Sequence, residues 1–265
     1  MPQSPDKHKQ ESNILLAMPL LRDAEIDFDR IINRLQSYWG ATVERSDEKS
    51  IQNKESPTKI ASFDVNGHLA SLALMPAPLP DGEAVSLFPI SYLWPDAEED
   101  IANHTRHAIV TLCSWSNDTS PLERYKVFTK VIESVLVETN SLGLYQGNQL
   151  LLVQKDTYID MAESLLEDSI PFLLWVYVGM INSDEGNSLY TNGMKGFGKL
   201  EMEIVNSQQD MEDLFDFMIN VGSYVISNDV TFQAGETLGY SESKDARIEI
   251  SPGRFLDGET IKIVM

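Results

Sequence analysis

The sequence predicts an α+β protein, and three kinds of observation carry that expectation. Apolar residues recur at helical spacing in some segments and form short unbroken or alternating runs in others. An Asn66-Gly67 pair stands between two apolar runs, the strongest short-range signal for a β-hairpin. Helix-starting residues sit just ahead of the periodic stretches, as at Ser120-Pro121-Leu122-Glu123.

Taken in order, Asn13 to Leu21 reads as a buried strand. Asp23 is placed to cap a helix carrying Phe28, Ile31, Ile32, Leu35 and Trp39 on one face, with Gly40 at its left-handed end. Residues 44–58 are polar and charged and read as a surface insertion. Ile60–Val65 and His68–Met75 form the predicted hairpin, followed by a proline-rich loop to Gly82. Pro95 to His107 fits a short helix with acids in its first turn, and Ala108 to Trp115 a buried strand. The order strand, helix, strand, strand, helix, strand matches the split βαβ of a ferredoxin-like sandwich. The expectation is a flexible tail at 1–12, a ferredoxin-like half at 13–118 and an acidic mixed α+β half at 119–265, the two halves making one continuous unit.

The second half opens on a helix with the stripe Tyr125, Phe128, Val131, Ile132, Val135 and Leu136. Short apolar pieces follow at Leu142–Tyr145 and Gln149–Val153, then a helix at Thr157–Leu166 and a central strand at Pro171–Ile181. Leu200–Val205 alternates, with Glu201 and Glu203 on the face opposite Leu200, Met202 and Ile204. Ser207 to Ile226 reads as an amphipathic helix, and short strands run from Val230 to the end.

The 265 residues carry 41 acidic and 20 basic side chains, a formal net charge of −21. Such a field repels nucleic-acid backbones and anionic lipid and attracts basic surfaces. The single cysteine, Cys113, leaves no internal disulfide and suits a reducing compartment. The first residues lack the apolar core of a signal peptide, and the longest apolar run, Ile170 to Ile181, is too short to span a bilayer. A cytoplasmic location is expected.

The segment Ser188-Leu-Tyr-Thr-Asn-Gly-Met-Lys-Gly-Phe-Gly-Lys-Leu-Glu-Met-Glu-Ile204 groups turn-forming residues around Phe197 and runs into the two glutamates. It resembles the signature of a bacterial domain-of-unknown-function family, number 4261. The loop Leu74-Met-Pro-Ala-Pro-Leu-Pro80, the turn Tyr92-x-Trp-Pro95 and His107 look like that family too, so that the resemblance covers the chain from about Leu15 to its end, apart from the polar insertion. It transfers no reaction and assigns no residue a role.

Catalytic patterns are sparse. His104 and His107 have i, i+3 spacing but no third metal ligand in sequence, and the plainer reading puts His107 at the start of a strand. Cys113 lies among apolar residues, where a thiol is inert. Gly193, Gly196 and Gly198 reverse the dinucleotide-binding order and precede a strand, so a tight turn is the plainer reading; a small anion on the loop, near Tyr190, Thr191 and Lys195, is the functional one. Glu201 and Glu203 are placed to hold a cation or share a proton, or else form the solvent face of a half-buried sheet. No metal or cofactor is implied. The pocket candidates are therefore Tyr190, Thr191, Gly193, Lys195, Phe197, Gly198, Glu201, Glu203 and His107.

Charge is distributed unevenly. Asp156 to Asp245 holds 17 acids and three lysines, and Leu200 to Tyr240 has eight acids and no base. Asp210, Glu212, Asp213 and Asp216 gather at the start of the last long helix, where the dipole tolerates them. They form either a solvated face or a docking surface for a basic protein. The leading expectation is a non-enzymatic interaction protein of immunity-protein or toxin/secretion-adaptor type; the alternative is a small-molecule or metal-dependent enzyme centred on Tyr190–Glu203.

Overall fold

The computed structural model describes residues 14–45, 59–80, 82–114, 119–241 and 244–265. The tail and most of the polar insertion, with Trp115, lie outside the described residues. The architecture is α+β, with two sheets and helices packed between and around them.

The first sheet contains β1 (Ile14–Leu21), β2 (Val43–Arg45), β3 (Lys59–Val65), β4 (His68–Met75), β5 (Arg106–Ser114), β6 (Ser141–Gln146) and β7 (Leu151–Gln154), in the order β2-β3-β4-β5-β1-β6-β7. Every pair is antiparallel. The Asn66-Gly67 hairpin forms as the sequence predicts, with left-handed φ of 51° and 82° at its two turn residues.

The ferredoxin-like expectation does not hold. A split βαβ needs β1 and β3 parallel with one strand between them. Here β4 and β5 both lie between, and three antiparallel steps leave β1 and β3 opposed. The helix expected at Pro95–His107 is also cut to α2 (Ala97–Ile101). The connection from β4 back to β5 is mostly turns, which lets β5 fall beside β4.

One face of this sheet is covered by α1 (Phe28–Ser37), α3 (Pro121–Val137) and α4 (Lys155–Ala162), and the other by the segment from Leu79 to Ile101 around Trp94. Asp27, rather than Asp23, caps α1, accepting from the N–H groups of Asp29 and Arg30. Ser120 makes no side-chain cap bond to α3. That helix is buried over most of its length, polar Thr129, Glu133 and Ser134 included, with Val131, Ile132, Val135 and Leu136 fully buried.

The second sheet is built from β8 (Tyr177–Ser183), β9 (Gly186–Asn192), β10 (Met202–Ser207), β11 (Thr237–Ser241), β12 (Lys244–Pro252) and β13 (Glu259–Val264), in the order β11-β12-β13-β10-β9-β8. The expected central strand at Pro171–Ile181 is instead a helical turn, α5 (Phe172–Trp175), followed by β8 at the sheet edge. A continuous apolar run does not distinguish a buried turn of helix from a buried strand. The last helix, α6 (Met211–Ser227), is capped by Asp210 and does not begin at Ser207, which still belongs to β10. Phe172 packs against Gly222 of α6, and one hydrophobic core runs from Ala17 and Val110 through α3 and Trp175 to Met202 and Ile263.

Within that core Glu133 is fully buried. Arg34 holds both its carboxylate oxygens, and Trp39 Nε1 donates to it at 2.7 Å. Removing one member of a buried pair leaves an uncompensated group. Arg34→Met is therefore expected to lower unfolding stability by about 3 kcal/mol, and Arg34→Met with Glu133→Leu to recover part of that loss in urea denaturation.

Candidate functional site

Glu201 and Glu203 are not on a solvent face. Glu201 is 2% exposed and Glu203 not exposed at all. The alternation in Leu200–Val205 is real, but the face expected to meet water is covered by two turns.

Glu201 precedes β10 and accepts from four donors. Thr191 Oγ1 donates to its Oε2 at 2.7 Å, and the backbone N–H groups of Gly193, Met194 and Lys195 donate at 3.0, 3.2 and 3.2 Å. Three successive N–H groups converging on one carboxylate form a nest. The glycine-rich loop thus has an anion in its concavity, and that anion is its own chain's side chain. Gly193 is required on two grounds: its φ of 139° is closed to other residues, and a Cβ there would lie 2.6 Å from the Trp175 carbonyl oxygen.

Glu203 repeats the device 50 residues further along. The N–H groups of Arg254 and Phe255 donate to it at 2.9 Å each, Thr260 Oγ1 at 3.2 Å, and the Lys262 ammonium is in contact. Burial pushes the Lys262 ammonium below its ordinary range. A carboxylate offers about four lone-pair directions. With four donor groups around each, neither has one left for a substrate proton or a cation.

The other candidates lie around these two clamps. Thr191 is buried and its Oγ1 also accepts from Met202 N at 2.8 Å. Phe197 stacks on Tyr125 with 4.2 Å between ring centres and lies 5.7 Å from Trp175. Tyr190 lies between Tyr177 and Phe255, and burial raises its hydroxyl pKa. The Lys195 side chain and Gly198 are exposed and line a pocket of about 360 Å³ with Lys199, Val230 and Phe232. Neither glutamate lines it.

His107 is elsewhere. It starts β5 in the first sheet, where its Nδ1 lies 2.9 Å from the Ala77 carbonyl oxygen. His104 Nε2 accepts from Leu79 N at 2.8 Å. Both rings therefore hold the proline-rich loop, and they do not share a helical face. Among the described residues no group of three or more His, Cys, Asp or Glu is placed to hold a metal ion. Tyr92 and Trp94 are structural too: the Tyr92 hydroxyl accepts from Val178 N, closing part of the β8 edge, and Trp94 Nε1 donates to Asp100.

The family model described as a domain of unknown function, DUF4261, matches residues 190–264. Over those residues the chain is similar to the DUF4261 family. No curated protein and no solved structure matches the chain. The DUF4261 stretch begins at Tyr190 and takes in both glutamates, both turns they hold, α6 and the strands β10 to β13. The loop at 74–80, the Tyr92 turn and His107 fall outside it.

Sequence reasoning missed the partners of Glu203. Pro252-Gly253 signals the turn, but nothing local to it points 50 residues back. It also missed Tyr240, which packs edge-on against Phe217 and whose pKa is raised by burial and then by Asp213 and Asp210.

Glu201→Gln keeps the shape of the DUF4261 loop clamp but puts an NH2 group against N–H donors. It is expected to cost about 2 kcal/mol in chemical denaturation, with faster hydrogen exchange at residues 193–195. His68 and His107 give a pH test. Burial lowers both pKa values below the ordinary 6.5. A depressed histidine contributes stability that is present above 6.5 and lost as pH falls through the folded value. Unfolding stability should thus fall as the pH drops below the ordinary 6.5, and His107→Asn should make that slope shallower by up to about 1.4 kcal/mol per pH unit.

Proposed function

We propose that this chain is a non-enzymatic interaction protein whose acidic surface docks a more basic protein, in the manner of an immunity protein or a toxin or secretion adaptor, in a bacterial cytoplasm. The observation that carries the reading is the state of the carboxylates. Those of the signature segment are buried and saturated with donors, whereas Asp210, Glu212, Asp213 and Asp216 are exposed at the start of α6. Among the described residues none of these four is in an ion pair.

Unpaired acids on one helix end speed encounter with a cationic surface and suppress acidic competitors. Tyr240 lies beside Asp210 and Asp213, and an aromatic ring rimmed by charge suits the centre of an interface. The alternative, an enzyme centred on Tyr190–Glu203, draws no support from carboxylates that have no free acceptor position. No helix among the described residues is long and apolar enough to cross a membrane.

Affinity purification from native extract, followed by association kinetics with the recovered partner, tests the proposal. Asp210→Asn keeps the helix cap, and with Glu212→Gln, Asp213→Asn and Asp216→Asn it should slow association at least tenfold at low salt while leaving the melting temperature within a few degrees. A partner whose association ignores both salt and these four substitutions would refute it.

A further inference from the structure

β10 and β13 are parallel neighbours for only two residue pairs, Met202 with Ile261 and Glu203 with Lys262. Beyond these, each strand keeps to its outer neighbour: β10 to β9 as far as Ser207, β13 to β12 as far as Val264. The strands part, and a cleft of about 510 Å³ opens between their carboxyl ends. A bulge between Ile204 and Ser207 accounts for the divergence, with Asn206 at a left-handed φ of 52° and its N–H turned to Ser188 Oγ, 2.9 Å away on β9. The turn that Glu203 holds at Arg254 forms another wall.

Strand edges that face a gap offer backbone donors and acceptors to an added strand. The side chains around this gap suit one. Val205, Val264 and Met265 line it and are 36%, 45% and 38% exposed, three of the ten large apolar side chains left exposed among the described residues. Scattered single apolar residues need no explanation, but three converging on one cleft do.

The charge at its mouth is acidic on the α6 side. Gln209 lines the cleft, and the next residue, Asp210, begins the unpaired acidic turn. Asn206 and Gln208 both donate to Glu185, bringing another acid to that side. Lys262 is engaged by Glu203, which leaves Arg254 as the cation facing the cleft, suited to a carbonyl of a bound chain.

We infer that the cleft between β10 and β13 receives an extended segment of the basic partner. The segment adds its backbone to the open strand edges, sets aliphatic side chains at alternate positions on Val205, Val264 and Met265, and carries Lys or Arg toward Asp210, Glu212 and Asp213. This rests on the reading that the chain docks a basic protein.

The test is a phage-displayed library of random decapeptides, panned on the full chain and counter-selected on a chain with Val205→Thr and Val264→Thr. Both positions are exposed, and unchanged melting of the substituted chain checks the fold. Enriched sequences should alternate aliphatic residues and end in Lys or Arg. A synthetic copy should bind the substituted chain at least tenfold more weakly, and lose affinity again with Asp210→Asn, Glu212→Gln and Asp213→Asn. No enrichment, or equal binding to both chains, overturns the inference. A purified partner that needs the acids but ignores the two threonine substitutions sinks the cleft alone and leaves the docking reading standing. Enriched peptides without basic residues, indifferent to the acids, overturn the inference as stated and remove the charge argument from the docking reading.

Discussion

The second sheet depends on two buried carboxylates placed two residues apart. Taking a carboxylate out of water is expensive, and it persists inside a protein only when its oxygens are supplied with donors. Glu201 and Glu203 obtain theirs mainly from backbone N–H groups of two turns that would otherwise bury unpaired donors. Each side satisfies the other. Charge-assisted bonds of this kind are about twice as strong as neutral ones, so the turns at 193–195 and 254–255 are fixed by the strand between them.

That fixation extends to a helix that covers the first sheet. With residues 193–195 drawn onto Glu201, Phe197 is directed into the aromatic group of Tyr125 and Trp175. A Cβ at Gly196 would collide with the Tyr125 hydroxyl, so glycine there is a condition of close approach, not of chain reversal. Tyr125 belongs to α3, the helix most deeply enclosed by the core, and Trp175 Nε1 donates to Thr129 on the same helix at 2.8 Å. The clamp on one sheet is in this way tied to the helix that covers the other.

What was legible in the sequence was local. The Asn66-Gly67 hairpin, the stripe of α3 and the alternation through Met202 and Ile204 all report on neighbours a few residues away. The order of the first sheet was not legible, because whether β5 lies beside β4 or across β1 is set by pairings over tens of residues that leave no periodic trace. Pro171–Ile181 was misread for a related reason: apolar throughout, it carries no period to separate a helical turn from a strand. The acids at the start of α6 were visible because composition alone reveals them. The burial of Glu203 was not, since its cover comes from Arg254 and Phe255.

The clamp and the cleft have one origin. Parallel pairing of β10 with β13 ends at Glu203 and Lys262, where the carboxylate binds the 254–255 turn. Holding that turn against the sheet supplies a wall of the cleft, while the bulge at Asn206 swings β10 away from β13. The residues that looked most like catalytic acids therefore work as fasteners, and the proposed docking cleft lies just past them. Charge follows the same division here: Glu201 and Glu203, surrounded by donors, face inward, and the exposed acids at the start of α6 are in no ion pair among the described residues. A side chain already neutralised by its own backbone has nothing to offer a partner, so under the proposed docking reading specificity falls to the open strand edges and the unpaired acids.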